Sequence, residues 1–235
     1  MTLASAAPES LPFDATPPHR LFYSTVKRAL DIGVSLVGLA LTSPVLAAAA
    51  IWVKLDSRGP VVFRQQRIGR NFRPFNILKF RTMVVDAPQL GRQITAGADP
   101  RITPVGGFLR KWKIDELPQL LNVLKGDMSL VGPRPEVPKY VQMFHDEYRY
   151  ILSIRPGITD PASIKYRDES SVLANCPDPE HKYVAEILPD KLAIARDYVT
   201  HANLLQDLGL LLRTATSILP SRSVARISRS NSQDG

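Results

Sequence analysis

Asp115 and Glu116 stand side by side, with Arg110, Lys111 and Lys113 just before them and Arg134 after them in Gly132-Pro133-Arg134-Pro135. In Asp115-Glu116-Leu117-Pro118-Gln119, Asp115 reads as the N-cap of a helix, Pro118 is tolerated in its first turn, and Gly126 stops it. The paired carboxylates then sit at the positive end of a helix dipole. That end favours their ionised forms and offers backbone N–H groups to an anion. An acidic first turn is also ordinary helix chemistry, so spacing alone leaves the pair open to both readings. A second charged stretch lies upstream. Between Lys54 and Arg81 eight basic residues face Asp56 alone, which is nearly the whole net charge of +8. Such a run suits anionic lipid headgroups, or a substrate that carries phosphate.

These residues need positioning elements. Val105 to Lys113 reads as a short helix after the Pro104 start signal, leading straight to the carboxylate pair. Val61-Val62-Phe63 and Phe75 to Phe80 read as short strands split by the turn at Gly69-Arg70-Asn71. Upstream, Ile32 to Val53 carries no charge, and as a helix it would reach roughly 33 Å, enough to cross a hydrocarbon core. It begins too late and runs too long for the apolar part of a signal peptide. Ser43-Pro44 sits at its centre, where proline removes a helix hydrogen bond and predicts a kink or break. Basic residues flank both ends, Lys27 and Arg28 before and Lys54 and Arg58 after. That favours a re-entrant segment returning to the face it came from over a kinked single span.

Composition narrows the classes. The 235 residues are 44% hydrophobic and 22% charged, enough to bury a core and not the profile of a disordered chain. One cysteine, Cys176, excludes a disulfide scaffold, and four scattered histidines offer no zinc-hydrolase pattern. Aromatic residues are sparse among the basic ones (Phe63, Phe72, Phe75, Phe80), which argues against nucleic acid as a partner. Residues 1–23 are expected to be a flexible arm and 220–235 a disordered tail. Between them lies one unit, 24–219, with the membrane helix at about 30–54 and a catalytic part at 55–219. The apolar positions from Val184 to Ile218 read as core-facing helix, with Leu204 to Leu219 apolar enough to lie on a membrane interface instead. The expected fold is α+β and helix-rich: a membrane helix-break-helix, a small β-hairpin and a compact helical catalytic domain.

An ordered series of motifs runs through the chain: Lys27-Arg28-Ala29-Leu30-Asp31, Ser43-Pro44, Gly59-Pro60-Val61-Val62-Phe63, Arg67-Ile68-Gly69, Lys79-Phe80-Arg81-Thr82-Met83, Asp115-Glu116-Leu117-Pro118-Gln119, Lys125-Gly126-Asp127-Met128-Ser129, Gly132-Pro133-Arg134-Pro135 and Arg155-Pro156-Gly157-Ile158-Thr159. The series resembles the bacterial sugar transferases, the small monotopic polyprenyl-phosphate phosphoglycosyl transferases, over about residues 24 to 219. The resemblance implies transfer of a phosphosugar from a UDP-sugar to undecaprenyl phosphate, with release of UMP and with Mg2+. The setting it implies is the cytoplasmic face of the bacterial inner membrane, at the start of exopolysaccharide, O-antigen or glycan assembly. By carry-over, Asp115 is the nucleophile that forms an aspartyl-phosphosugar, and Glu116 helps hold the metal. A carboxylate is a competent covalent nucleophile, and Mg2+ takes carboxylate and phosphate oxygens. Arg110 and Arg134 are the expected phosphate clamps, because a guanidinium grips phosphate bidentately; Lys79 and Arg81 are the secondary candidates. Membrane lipid is an expected partner, and a second copy of the chain and downstream glycosyltransferases stand open as others. Asp160-Pro161-Ala162-Ser163 departs from the family pattern after Thr159, a place where donor recognition is open to differ. The competing expectation is a non-catalytic, membrane-attached adaptor that binds anionic lipid or a partner through its basic surface.

Overall fold

A computed structural model describes residues 18–218 apart from 88–89, 91–93, 96, 98 and 175. The tail expected at 220–235 and most of the arm expected at 1–23 lie outside the described residues, but Pro18 to Tyr23 are already helical. In chain order the elements are α1 (Pro18–Asp56), β1 (Val62–Ile68), β2 (Pro74–Phe80), α2 (Pro104–Lys111), α3 (Gln119–Lys125), β3 (Ser129–Val131), α4 (Pro138–Met143), α5 (His145–Ile151), β4 (Gly157–Thr159), α6 (Pro161–Lys165), α7 (Glu169–Ala174), α8 (Pro179–Lys182), α9 (Leu188–His201) and α10 (Leu204–Ile218). Helix dominates the described residues, as expected, with two small sheets among them. β1 and β2 form the antiparallel hairpin, Val62 opposite Phe80 and Ile68 opposite Pro74, so the first strand runs further than its apolar start suggested. β3 and β4 pair in parallel, Ser129 with Gly157 and Val131 with Thr159.

Of the kink or break expected at Ser43-Pro44, the break is corrected: Pro18–Asp56 is one helix with Pro44 inside it. Pro44 has no N–H for the Ala40 carbonyl four residues back, and the Ser43 hydroxyl donates to that carbonyl instead at 2.8 Å. The serine therefore supplies the hydrogen bond that its neighbour cannot. Both ends of α1 are tied to the rest of the chain. Near its start Arg28 donates to the Val123 and Leu124 carbonyls of α3, and Asp31 accepts from Leu130 N of β3 at 3.1 Å. Near its end Ala49 and Val53 are buried with Phe80, Val105 and Leu109. Between the ties the helix is largely exposed and apolar, including Leu36, Val37, Leu41 and Val45. The window that makes it long and apolar enough to cross a membrane is only 11% buried.

Two further cores hold the domain. Ile77, Val123, Met128, Val131, Tyr198 and Leu210 join β2, α3, β3, α9 and α10. A second group packs α4 and α5 on α9 through Val141, Tyr148, Ile151, Leu188 and Leu192. The helix-spaced residues of the C-terminal third are thus mostly core, as expected. α10 is two-faced: Leu210 is buried, while Leu205, Leu208 and Leu212 are exposed.

Candidate active site

Asp115 is not an N-cap. It lies in a single tight turn, Ile114–Glu116, and α3 begins later, with Pro118 at its N-cap position and no capping side chain. The reason is local: Lys113 adopts left-handed φ and ψ of 56° and 18° and turns the chain sharply out of α2, while Pro118 sets the start of the next helix. The effect is burial. Asp115 is 6% exposed, and its Oδ1 is enclosed with no hydrogen-bond partner. Burial pushes the Asp115 carboxyl above its ordinary range, against the pull of Lys79, Lys113 and Arg110.

Glu116 is treated in the opposite way. Lys79 Nζ on β2 donates to its Oε1 at 2.8 Å, and Arg134 Nη2 donates to the same oxygen at 2.6 Å. Burial alone would raise Glu116, but Arg134 and Lys79 hold it well below the usual carboxylate range. Burial lowers Lys79 in spite of Glu116, and Glu116 raises Arg134. The two adjacent carboxyls are therefore pushed apart, one towards the neutral form and one locked as the anion.

Three long-range devices bring these groups together. Asn122 of α3 accepts from Leu78 N at 3.0 Å and donates to the Asn76 carbonyl at 2.8 Å, fastening α3 beside β2 and so Glu116 beside Lys79. The Arg134 loop is placed by close backbone approach. A Cβ on Gly157 would lie 2.1 Å from Gly132 N, so the Gly-Pro-Arg-Pro and Arg-Pro-Gly motifs can meet only through bare glycines. Arg134 N then donates to Asp160 Oδ2 at 3.2 Å, while Asp160 Oδ1 caps α6 by accepting from Ser163 N at 2.7 Å. The departure at Asp160-Pro161-Ala162-Ser163 is thus a helix cap that also anchors the Arg134 loop.

Arg110, on α2, donates through Nε to Thr82 Oγ1 at 2.8 Å, and burial lowers it against the opposing pull of Asp115. Thr82 is in reach because Gly106 packs its backbone on the Thr82 carbonyl, where a Cβ would lie 2.1 Å away. Arg81 is placed elsewhere. It is 6% exposed and donates to the Pro60 and Ser57 carbonyls at 2.7 Å each and to the Val53 carbonyl at 3.3 Å. Its guanidinium closes the C-terminal end of α1, so the expectation of Arg81 as a phosphate ligand is corrected: its terminal nitrogens are already committed to the backbone.

A family model described as bacterial sugar transferase matches residues 22–221. The chain belongs to this family. It is 39% identical over 202 residues to a UDP-N-acetylgalactosamine-undecaprenyl-phosphate N-acetylgalactosaminephosphotransferase of Aeromonas hydrophila, covering 84% of this chain and 44% of that protein. It is 38% identical over 209 residues to a UDP-glucose:undecaprenyl-phosphate glucose-1-phosphate transferase of Caulobacter vibrioides, covering 86% of this chain and 73% of the relative. It is 34% identical over 210 residues to an undecaprenyl-phosphate galactose phosphotransferase of Salmonella typhimurium, covering 83% and 40%. The chain therefore spans less than half the length of two of these relatives and about three quarters of the third. Their names carry three different sugars, all delivered to one lipid phosphate.

Within this bacterial sugar transferase, Asp115, Glu116, Lys79 and Arg134 come together, with Arg110 beside them. Lys79, a secondary candidate from the sequence, makes the direct ion pair, whereas Arg110 is bonded to Thr82. Thr82, Asn122 and Asp160 were not singled out as site residues. Thr82 and Asp160 lie in or beside the quoted motifs, which is the signal that could have found them. Asn122 has no such mark. The donor set also suits a magnesium ion. Two adjacent carboxylates with an unmatched buried oxygen are hard ligands, and substrate phosphates complete such sites. Among the described residues no third His, Cys, Asp or Glu joins them.

Proposed function

We propose that this chain transfers a phosphosugar from a UDP-sugar to undecaprenyl phosphate in two steps. The observation that supports it most is the split within the dyad, where Glu116 Oε1 is held by both Lys79 and Arg134 and Asp115 keeps an unmatched buried oxygen. Asp56 Oδ2, at the end of α1, is unmatched too, but of the two it is Asp115 that stands among Lys79, Lys113 and Arg110, where an open oxygen has an electron pair to give to a phosphate. In the first step an Asp115 oxygen attacks the β-phosphorus of the UDP-sugar. A P–O bond forms to the carboxylate, the bond to the bridging oxygen breaks, and UMP leaves with that electron pair. In the second step a phosphate oxygen of undecaprenyl phosphate attacks the same phosphorus, and the Asp115 carboxylate departs intact. Splitting the reaction lets two anionic substrates use one site in turn.

Arg134 and Lys79 line the site with fixed positive charge for the phosphates, and Arg110 adds a third cation from α2. Asp115 and Glu116 would hold Mg2+, which when bound offsets charge building on the transferring phosphoryl group. Membrane attachment follows from α1. At about 1.5 Å per residue its 39 residues run to roughly 58 Å, but both ends are tied to the same domain and the apolar middle is left exposed. This supports a helix held against the membrane from one face, with its exposed apolar middle, Leu36, Val37, Leu41 and Val45, in the lipid and the exposed leucines of α10 at the same interface. We place the domain on the cytoplasmic face of the inner membrane, where a nucleotide-sugar donor is met. The acceptor phosphate lies at that interface.

The decisive assay is UMP release by the detergent-solubilised chain with undecaprenyl phosphate, Mg2+ and a panel of UDP-sugars. Release with one donor, lost with EDTA and in Asp115→Asn, is the expected result. Full turnover by Asp115→Asn would sink the assigned nucleophile.

A further inference from the structure

Glu116, Gln119 and Asn122 follow one another at intervals of three, positions that stack along one side of a tight helical coil. The coil is unbroken from Ile114 into α3: Leu117 N donates to Ile114 O at 3.2 Å, Leu120 N to Leu117 O at 3.1 Å and Leu121 N to Pro118 O at 3.1 Å. The two outer members of the stripe are matched, Glu116 with Lys79 and Arg134, Asn122 with β2 and with Asp127 at 3.2 Å. Gln119 between them is 0% exposed, and neither its Oε1 nor its Nε2 has a partner. Among the described residues it is the one buried side-chain amide with donor and acceptor both unmatched. It does not cap α3, whose start carries no side-chain cap. Enclosing such an amide works against folding, and an apolar chain of equal length would fill the space without that cost. One turn back along the same coil, Asp115 Oδ1 is enclosed and unmatched too.

We infer that Gln119 is a positioning residue for Asp115, its amide kept for hydrogen bonding to the carboxylate as that group reacts. The role rests on the reading of Asp115 as nucleophile. Nε2 is a neutral donor, so it can hold the carboxylate oxygen that does not attack and aim the other at phosphorus. It does so without adding to the cations at Glu116. Glu116 Oε1 and Asn122 bind the coil to β2, which leaves Gln119 as the stripe's unmatched amide, four residues along the coil from Asp115.

The test compares the full-length, detergent-solubilised chain with Gln119→Met and Gln119→Leu, measuring kcat and KM for the UDP-sugar by UMP release and Tm by thermal melting. The expected result is a kcat lowered roughly tenfold or more, a KM within about twofold of native, and a Tm no lower than native. A purely structural amide would move Tm and leave kcat per folded molecule alone. Unchanged kcat in both variants overturns the role, as does a marked fall in Tm or loss of folding in both. A native chain silent with every UDP-sugar sinks the proposed reaction and this role together. A native chain that turns over beside fully active variants sinks the Gln119 role alone.

Discussion

Two buried aspartates divide the molecule's chemistry between them. Asp207, on α10, is 6% exposed and accepts from Tyr23 at 2.9 Å, Lys27 at 2.6 Å and Tyr198 at 2.6 Å. Asp115 is equally buried, and one of its oxygens accepts nothing. The first joins the start of α1 to α9 and α10, and burial beside Asp207 pushes the Tyr198 hydroxyl far above its usual range. The second stabilises nothing that the structure shows. A carboxylate that holds a fold is saturated by its neighbours. One that reacts must keep an oxygen uncommitted, at a cost in stability carried by the rest of the domain.

The contrast is broken most directly at Asp115. Asp115→Asn is expected to lower UMP release by about three orders of magnitude or more while Tm stays at or above native. A marked loss of Tm would place Asp115 in the same class as Asp207. Asp207→Asn is the mirror experiment. Removing the charge from a matched buried group costs about 3 kcal/mol, a fall in Tm of roughly 6–12 °C for a chain of this size, with kcat of the folded fraction near native. A loss of turnover without loss of Tm would undo the division.

Acid titration sharpens it. Glu116 is held low in the folded state, so its contribution is complete above the unfolded carboxylate value and is lost as pH falls through the folded one. Asp115 is raised, so its contribution is present below the unfolded value and is lost as pH rises through the folded one. The Tm advantage of Asp115→Asn over native should therefore be absent at low pH and emerge as pH rises above the ordinary carboxylate range. An advantage that ran the other way would mean the carboxyl is stabilised as an anion. The smallest effect belongs to Thr82→Val, which removes the acceptor for Arg110 Nε. A fall in kcat/KM of about threefold to tenfold, with Tm within about 2 °C of native, is expected from kinetics and melting.

Features that depend on near neighbours were legible in the residues. The hairpin, the Pro104 start of α2 and the Gly126 stop of α3 follow from turn and cap chemistry spanning a few positions. The apolar run of α1 was legible for the same reason, but its continuity through Pro44 was not. The outcome turned on whether the Ser43 hydroxyl would satisfy the Ala40 carbonyl that Pro44 leaves open. The Asp115 turn was misjudged as a cap because Lys113 takes a left-handed conformation that its residue type does not announce.

By itself the sequence determined the chemistry in stock: two adjacent carboxylates, a supply of arginine and lysine, an apolar helix, and motifs whose order marks the family. Tertiary structure alone decided how those charges were assigned. Lys79 and Arg81 are separated by one residue on the chain. One faces Glu116 at 2.8 Å, and the other is turned to the carbonyls at the end of α1. Strand alternation would put positions two apart on one face, but Arg81 lies just past the end of β2, and what each residue reaches comes from segments more than twenty residues away. Which cation meets phosphate and which closes a helix is a property of the packing, because residue type sets what a group can bind and only the fold sets what it reaches.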